Sequence, residues 1–566
     1  MPLVQMQNID AQNIVTPYYL SEQDAEYEWN SHADQAARYF LPTTAYQSFT
    51  HPSSLILLGR IGTGKTAIIR YFEHNIENGK DRNYARTVRM CFQDILKCIP
   101  NFDAINTSAK MFEEIVDTLE IIINLRIMKK VYDGLKPKTD LRVKLENYLK
   151  EKKILNNSRN TIIHRIQKSI NEAANLSGTA GEIATNLSVV QKVINAFCTE
   201  TYDNLLLDVY NEIRSTPVLV LIDTMDRYDI TDSRLVIVVK ALISACFRFH
   251  NNSHENHTHV KLSLPSEIYT RIVQSLPGKQ QGNTTIIQWT YKDLINLIAL
   301  RMKGWRESHK NESVLFSFID RLNIDQFDSN TNDFELSKEM LHGFLPATCP
   351  TSLSFRLDTL AYIIRHTLKK PRELMLIFDA IIHKIISTGN THYFIDNEND
   401  ISRIVHSKQE ELVMSALSMY ETPYKDIGSY IQQLLSNRNW CFSRISNEDV
   451  KRINALLQAR VLNYDVNDIM RVLVESGLLG KVNKSGVIAA NNNMLCNENP
   501  ITVLTAIFEY QIKGTLAFSD KDKYVIHPMC YEHFSCYVDD QTLVYPEKSD
   551  NDGDNVYMEI IEDTFM

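Results

Sequence analysis

The chain has 566 residues, 44% of them hydrophobic, and a formal net charge of −9 at pH 7; that length exceeds what one core can organise, so about two to four domains are expected. The charge is local: from Asp539 onward nine acids stand against one base, Lys548, so the rest is nearly neutral and bulk charge gives no argument for nucleic acid. Nine scattered cysteines without a C-x-x-C pair suit buried or free thiols better than a disulfide framework, and the lack of a leader pattern or a run of ~20 apolar residues points to a soluble, cytoplasmic protein with no membrane partner.

Residues 1–50 read as a polar and aromatic lead-in with a helix near Glu22 to Tyr39. An apolar strand, Leu55 to Leu58, then feeds Gly59-Arg60-Ile61-Gly62-Thr63-Gly64-Lys65-Thr66, and a helix runs from Lys65 to about Phe72. Thr87 to Phe92 is a second strand. A helical insertion at about 100–215 follows, with periodic apolar positions over Met111–Tyr132 and Asp140–Lys153. Val218 to Ile222 is an unbroken apolar run of the kind found in parallel sheets covered on both faces. The order strand, helix, strand, helical insertion, strand is α/β. A nucleotide core is therefore placed at 51–290 and a helical lid at 291–400. Residues 401–538 read as helices followed by short β pieces at Leu478–Val482, Phe508–Ile512 and Tyr524–Ile526, a winged-helix-like pattern. Ser446 and Asp449 form a capping box there. Residues 539–566 read as an acidic tail.

The glycine-rich loop carries the chemistry. Gly59, Gly62 and Gly64 let the backbone curl until successive N–H groups, with those of Thr63 and Ala67, face a concavity at a helix N-terminus, where a phosphate is favoured. Lys65 is expected to reach the β and γ phosphates of ATP and Thr66 to ligate Mg²⁺. Asp223 ends the third apolar run, where a carboxylate faces a metal held by Thr66. Thr224 follows, and a threonine cannot serve as a base for water. Asp226 is the nearest acid that could orient it.

The run Ile222-Asp223-Thr224-Met225-Asp226-Arg227-Tyr228 resembles the I-D-D-L-D-R signature of KAP-type ATPases and related bacterial P-loop ATPases, within the AAA+/STAND assemblage. Val260 to Tyr269, Ile287 to Arg301 and Lys370-Pro371-Arg372-Glu373-Leu374 are similar to that group's next strand, its turn into the lid, and its proline–arginine element. The resemblance covers roughly residues 20 to 390. It implies a P-loop NTPase parallel sheet with a helical lid, Arg372 reaching the nucleotide, and a winged helix at the C-terminus. It further implies ATP hydrolysis in a switch that controls assembly as a homo-oligomer or an effector partner in anti-phage defence. Two departures stand out. Thr224 replaces the usual second acid, which opens the alternative of a nucleotide-gated scaffold without hydrolysis, and Ser266 occupies a position where relatives carry a sensor.

Other clusters carry less. Arg227, Arg271 and Arg301 are candidates for an arginine finger across a subunit interface, and Lys369 and Lys370 are expected to be solvated. His250, His254, His257 and His259 read as solvated loop histidines, and His527, Cys530, His533 and Cys536 as packing residues of a terminal helix rather than a zinc site. Lys451, Arg452, Arg460 and Arg471 on helices, with Lys513, Lys521 and Lys523 near the wing, leave DNA as an alternative partner, as in an origin-recognition-like loader.

Overall fold

Apolar runs too uniform to leave one face wet come together as one sheet. Strands β1 (Ile56–Gly59), β2 (Arg86–Cys91), β3 (Val218–Asp223), β4 (Thr258–Pro265) and β5 (Thr284–Ile286) pair in the order β2-β3-β4-β1-β5, all parallel. The computed structural model describes residues 20, 25–97, 99, 109–155, 194–223, 233–273, 282–308, 333–350, 356–390, 392–443, 445–456, 464–488, 501–508, 522–538 and 542–547.

Successive side chains of a strand point to opposite faces, and the two faces meet different partners. Val218, Val220 and Ile222 of β3 pack with the long helix Ala109–Gly134 and with Ser233–Asn251. Leu219 and Leu221 face the other way, towards Ile68, Ile69 and Phe72 of helix Lys65–Glu77. Between β2 and β3 in sequence lie the helices Ala109–Gly134, Asp140–Glu151 and Glu200–Glu212, all on the first face.

The segment expected to form a lid, 291–400, contains the helices Tyr291–Ser308, Phe334–His342, Thr359–Arg365 and Pro371–Thr388, with a small antiparallel pair, β6 (Thr348–Pro350) and β7 (Arg356–Asp358). Pro371 opens its helix at the first turn, where no N–H is needed. Beyond it come Asn399–Ser407, Gln409–Leu417, Ile427–Leu435, Asn447–Leu456 and Val466–Ser476. Ser446 and Asp449 cap one of these reciprocally: Asp449 N donates to Ser446 Oγ and Ser446 N to Asp449 Oδ2, both at 3.1 Å.

The C-terminal β structure is larger than its sequence suggests. Strands β8 (Cys441–Phe442), β9 (Leu479–Ile488), β10 (Ile501–Ile507), β11 (Tyr524–Ile526) and β12 (Thr542–Glu547) form a second sheet ordered β12-β10-β9-β11-β8. β12 lies inside the stretch read as acidic tail. Its Leu543 and Val544 are buried, and it pairs in parallel with β10; charge counted over the whole terminus hides this short apolar run. His527 to Cys536 is not a terminal helix either, because Pro528–Cys530 is a single 3-10 turn. No helix among the described residues is long and apolar enough to cross a membrane.

Candidate nucleotide site

Gly64 is the N-cap of helix Lys65–Glu77, with φ +91°, a left-handed conformation costly for any residue with a Cβ. Gly64 has no side chain with which to cap this helix, and the first N–H groups of a helix have no partner within it. Lys65 is buried and its Nζ donates to the carbonyls of Gly59, at 3.0 Å, and Arg60, at 3.1 Å. Thr63 shapes the loop from inside: its hydroxyl donates to Arg60 O at 2.7 Å, and Trp289 Nε1 donates to its carbonyl at 2.9 Å. Gly62, Gly64, Lys65, Thr66 and Ala67 line a cavity of about 940 Å³, open mouth included.

The far wall of that cavity is apolar and comes from elements distant in sequence, including Phe40, Leu41, Trp289, Leu297 and Met375. Arg372 completes it from the lid. A Cβ placed on Gly62 would lie 3.6 Å from Arg372 Cβ and 3.7 Å from Lys370 Cδ, so the lid helix starts directly against the loop. Lys369 and Lys370 are both buried, contrary to the solvated positions expected for them. Lys370 Nζ sits 3.3 Å from Glu373 Oε1, and Glu373 Oε2 accepts from Leu368 N at 2.6 Å. A lysine held by a carboxylate one turn on can be buried where an unpaired one could not.

Asp223 lies at the C-terminal end of β3, almost wholly buried, and accepts a hydrogen bond from Ser263 of β4. Ser263 is one step past the Ile222–Leu262 pair in the register and sits beside Leu57 of β1. The serine that touches the acid is thus Ser263, while Ser266 opens helix Ser266–Ile272. The alternation of Leu262, Ser263 and Leu264 was the available signal: Leu262 and Leu264 share the apolar face, which turns Ser263 to the other. A threonine hydroxyl on the loop helix and a carboxylate on a neighbouring strand are oxygen donors, the set a hard divalent cation takes. Thr66 and Asp223 therefore fit Mg²⁺ by donor type. Thr224, Asp226 and Arg227 lie outside the described residues.

The remaining charged groups tie the N-terminal lead-in to the site. Arg89 Nη1 on β2 donates to both oxygens of Glu26 at 2.7 Å. Burial would raise the Glu26 carboxyl, but the Arg89 guanidinium holds it below the usual carboxylate range. Arg301, one candidate finger, is buried in an ion pair with Glu28, and both line the cavity; a guanidinium so engaged points inward, not across an interface. Arg271 Nη2 lies 4.0 Å from Glu475 Oε2. Among the basic residues considered for DNA, Arg452 faces Asp449 at 3.7 Å, while Arg460, Lys513 and Lys521 lie outside the described residues. No group of three or more His, Cys, Asp or Glu able to hold a metal occurs among the described residues. His250 and His259 pack edge to face with ring centroids 5.9 Å apart instead of standing in solvent.

No protein-family model matches the chain, and no curated protein matches it.

Proposed function

We propose that the chain is a Mg·ATP-binding, AAA+/STAND-like switch ATPase that uses nucleotide state to control homo-oligomeric assembly or a protein effector, in the setting of bacterial anti-phage defence. The observation that carries the reading is the convergence on one cavity of the uncapped helix N-terminus at Gly64, the buried Lys65 ammonium, and Arg372 from the lid. Two positive side chains and a row of N–H groups at an otherwise apolar cleft suit a polyphosphate joined to an aromatic base.

In this reading Lys65 exchanges the carbonyls of Gly59 and Arg60 for phosphate oxygens, so its ammonium keeps hydrogen-bond acceptors in both states. Arg372, with a planar fork suited to phosphate, draws the lid onto the γ end. Thr66 and Asp223 would hold Mg²⁺, which when bound offsets charge on the transferred phosphoryl group. Ser263 keeps the Asp223 carboxylate oriented, and Asp226 would orient the attacking water. Substituting Lys65→Ala and measuring nucleotide binding by fluorescence tests the reading: affinity should fall by about a hundredfold, as expected on losing a charge-assisted contact of ~3 kcal/mol, and unchanged affinity refutes it. Steady-state phosphate release with and without a partner separates hydrolysis from the scaffold that Thr224 suggests. Turnover equal to wild type in Asp226→Asn would clear Asp226 of its role.

A further inference from the structure

Arg365 ends helix Thr359–Arg365 and is 4% exposed. Its Nε donates to Val544 O of β12 at 2.9 Å, and no carboxylate pairs with it among the described residues. Its titratable neighbours do not supply a negative charge. His366 and His527 are fully buried, and burial followed by the charge of Arg365 holds both well below the usual histidine range. Burial likewise keeps the Tyr531 hydroxyl protonated. A guanidinium taken out of water without a counter-charge is among the costliest arrangements in a protein interior.

The same residue lines a cavity of about 480 Å³, open mouth included, between the lid and the C-terminal module, away from the P-loop. Gln409, 1% exposed, is another wall residue. Its Oε1 accepts from Glu532 N at 3.0 Å and His533 N at 3.1 Å, which fixes the amide's orientation. Its Nε2 then has hydrogens without an acceptor among the described residues, and the Tyr531 hydroxyl in the same wall has no partner there either. Among the described residues Glu532 is the one carboxylate in the lining, but its side chain is 58% exposed and lies 3.8 Å from His406 Nδ1, at the rim. The charged donor of the deep wall is therefore the Arg365 guanidinium.

We propose that this cavity is a second ligand site, which takes a small oxyanion of the phosphate class on Arg365. A tetrahedral oxyanion supplies both the missing charge and several acceptors, and a guanidinium can grip it through two parallel hydrogen bonds.

The test is equilibrium dialysis of inorganic phosphate with the full chain carrying Lys65→Ala. That substitution removes the P-loop's hold on phosphate, so failure of this site and failure of the nucleotide reading are told apart. One saturable phosphate per chain is expected, with affinity reduced roughly tenfold or more by Arg365→Met, as for one charged hydrogen bond. Gln409→Glu keeps the acceptor oxygen but adds a carboxylate beside Arg365. It should fold and should abolish binding, even if Arg365→Met does not fold. Absence of saturable binding, or equal binding in Gln409→Glu, overturns the proposal. Asp539 and Asp540 follow the cavity residue Val538 in sequence. Phosphate binding that emerges only when both are changed to Asn would mean that the chain fills the site with its own carboxylate, and it would also overturn the proposal.

Discussion

The guanidinium of Arg60, inside the glycine-rich loop, lies against Gly477 at the end of helix Val466–Ser476: a Cβ on Gly477 would stand 3.2 Å from Arg60 Nη1. Two residues earlier Glu475 accepts from Tyr420 OH at 3.4 Å and faces Arg271. Burial pushes the Glu475 carboxyl up, against the pull of Arg271 and Arg471. The loop that would hold phosphate and the C-terminal module thus share a charged, buried seam.

Gly477 has φ +85°, and an added Cβ would also come within 2.8 Å of Leu368 Cδ2. Gly477→Ala is therefore expected to lower stability by about 1–3 kcal/mol, from left-handed strain plus overpacking. Urea unfolding measures this, and an unchanged midpoint would show that the seam is looser than described.

Arg372→Ala should weaken ATP binding about tenfold, the size of one charge-assisted hydrogen bond. Its melting temperature should stay close to wild type, since the side chain is only half buried. Titration of both proteins with a fluorescent ATP analogue decides the matter; equal affinities would remove Arg372 from the site.

Chelating Mg²⁺ with EDTA should lower ATP affinity in the wild type and leave Asp223→Asn nearly unaffected, because the variant has already lost the metal's anionic ligand. An EDTA response of the same size in both proteins would place the metal elsewhere. Ser263→Ala should give an intermediate response, since it frees the carboxylate it now holds.

His259 gives a pH dependence with a definite sign. Burial, then the charges of Lys261 and His250, bring it down to about 4, against about 6.5 in an unfolded chain. The unfolded state therefore takes up the extra proton first as pH falls. Stability is fully present above pH 6.5 and is lost between about 6.5 and 4. His259→Phe should flatten that part of the stability–pH curve measured by thermal unfolding, and an identical slope in the variant would refute the assignment.

The near end of the site was legible because its signals are local. The glycines, Lys65 and Thr66 sit in eight consecutive residues, and Asp223 closes an apolar run that can only be a buried strand. The far wall was not. Phe40, Leu41 and Trp289 are ordinary apolar residues whose meeting depends on how the lead-in and lid fold over the sheet. Lys369 and Lys370 misled for a related reason: their burial rests on Glu373 and on the loop at Gly62, and no periodicity in the sequence encodes those contacts. β10 and β12 are apolar runs short enough to be lost beside polar and acidic stretches, and it is long-range pairing that makes them strands.

The sheet's two faces both limit what the chain can give up. The helices between β2 and β3 share their apolar body with one face alone, which includes Ile56 and Leu58 of β1 and Val220 and Ile222 of β3, so their loss would uncover the strands that carry the loop and Asp223. The other face has no more freedom. Ile69 and Phe72 of the loop helix belong to the same continuous interior as Leu478, Tyr524 and Leu543, so a stop codon a few dozen residues before the end would reach the phosphate loop through its foundations.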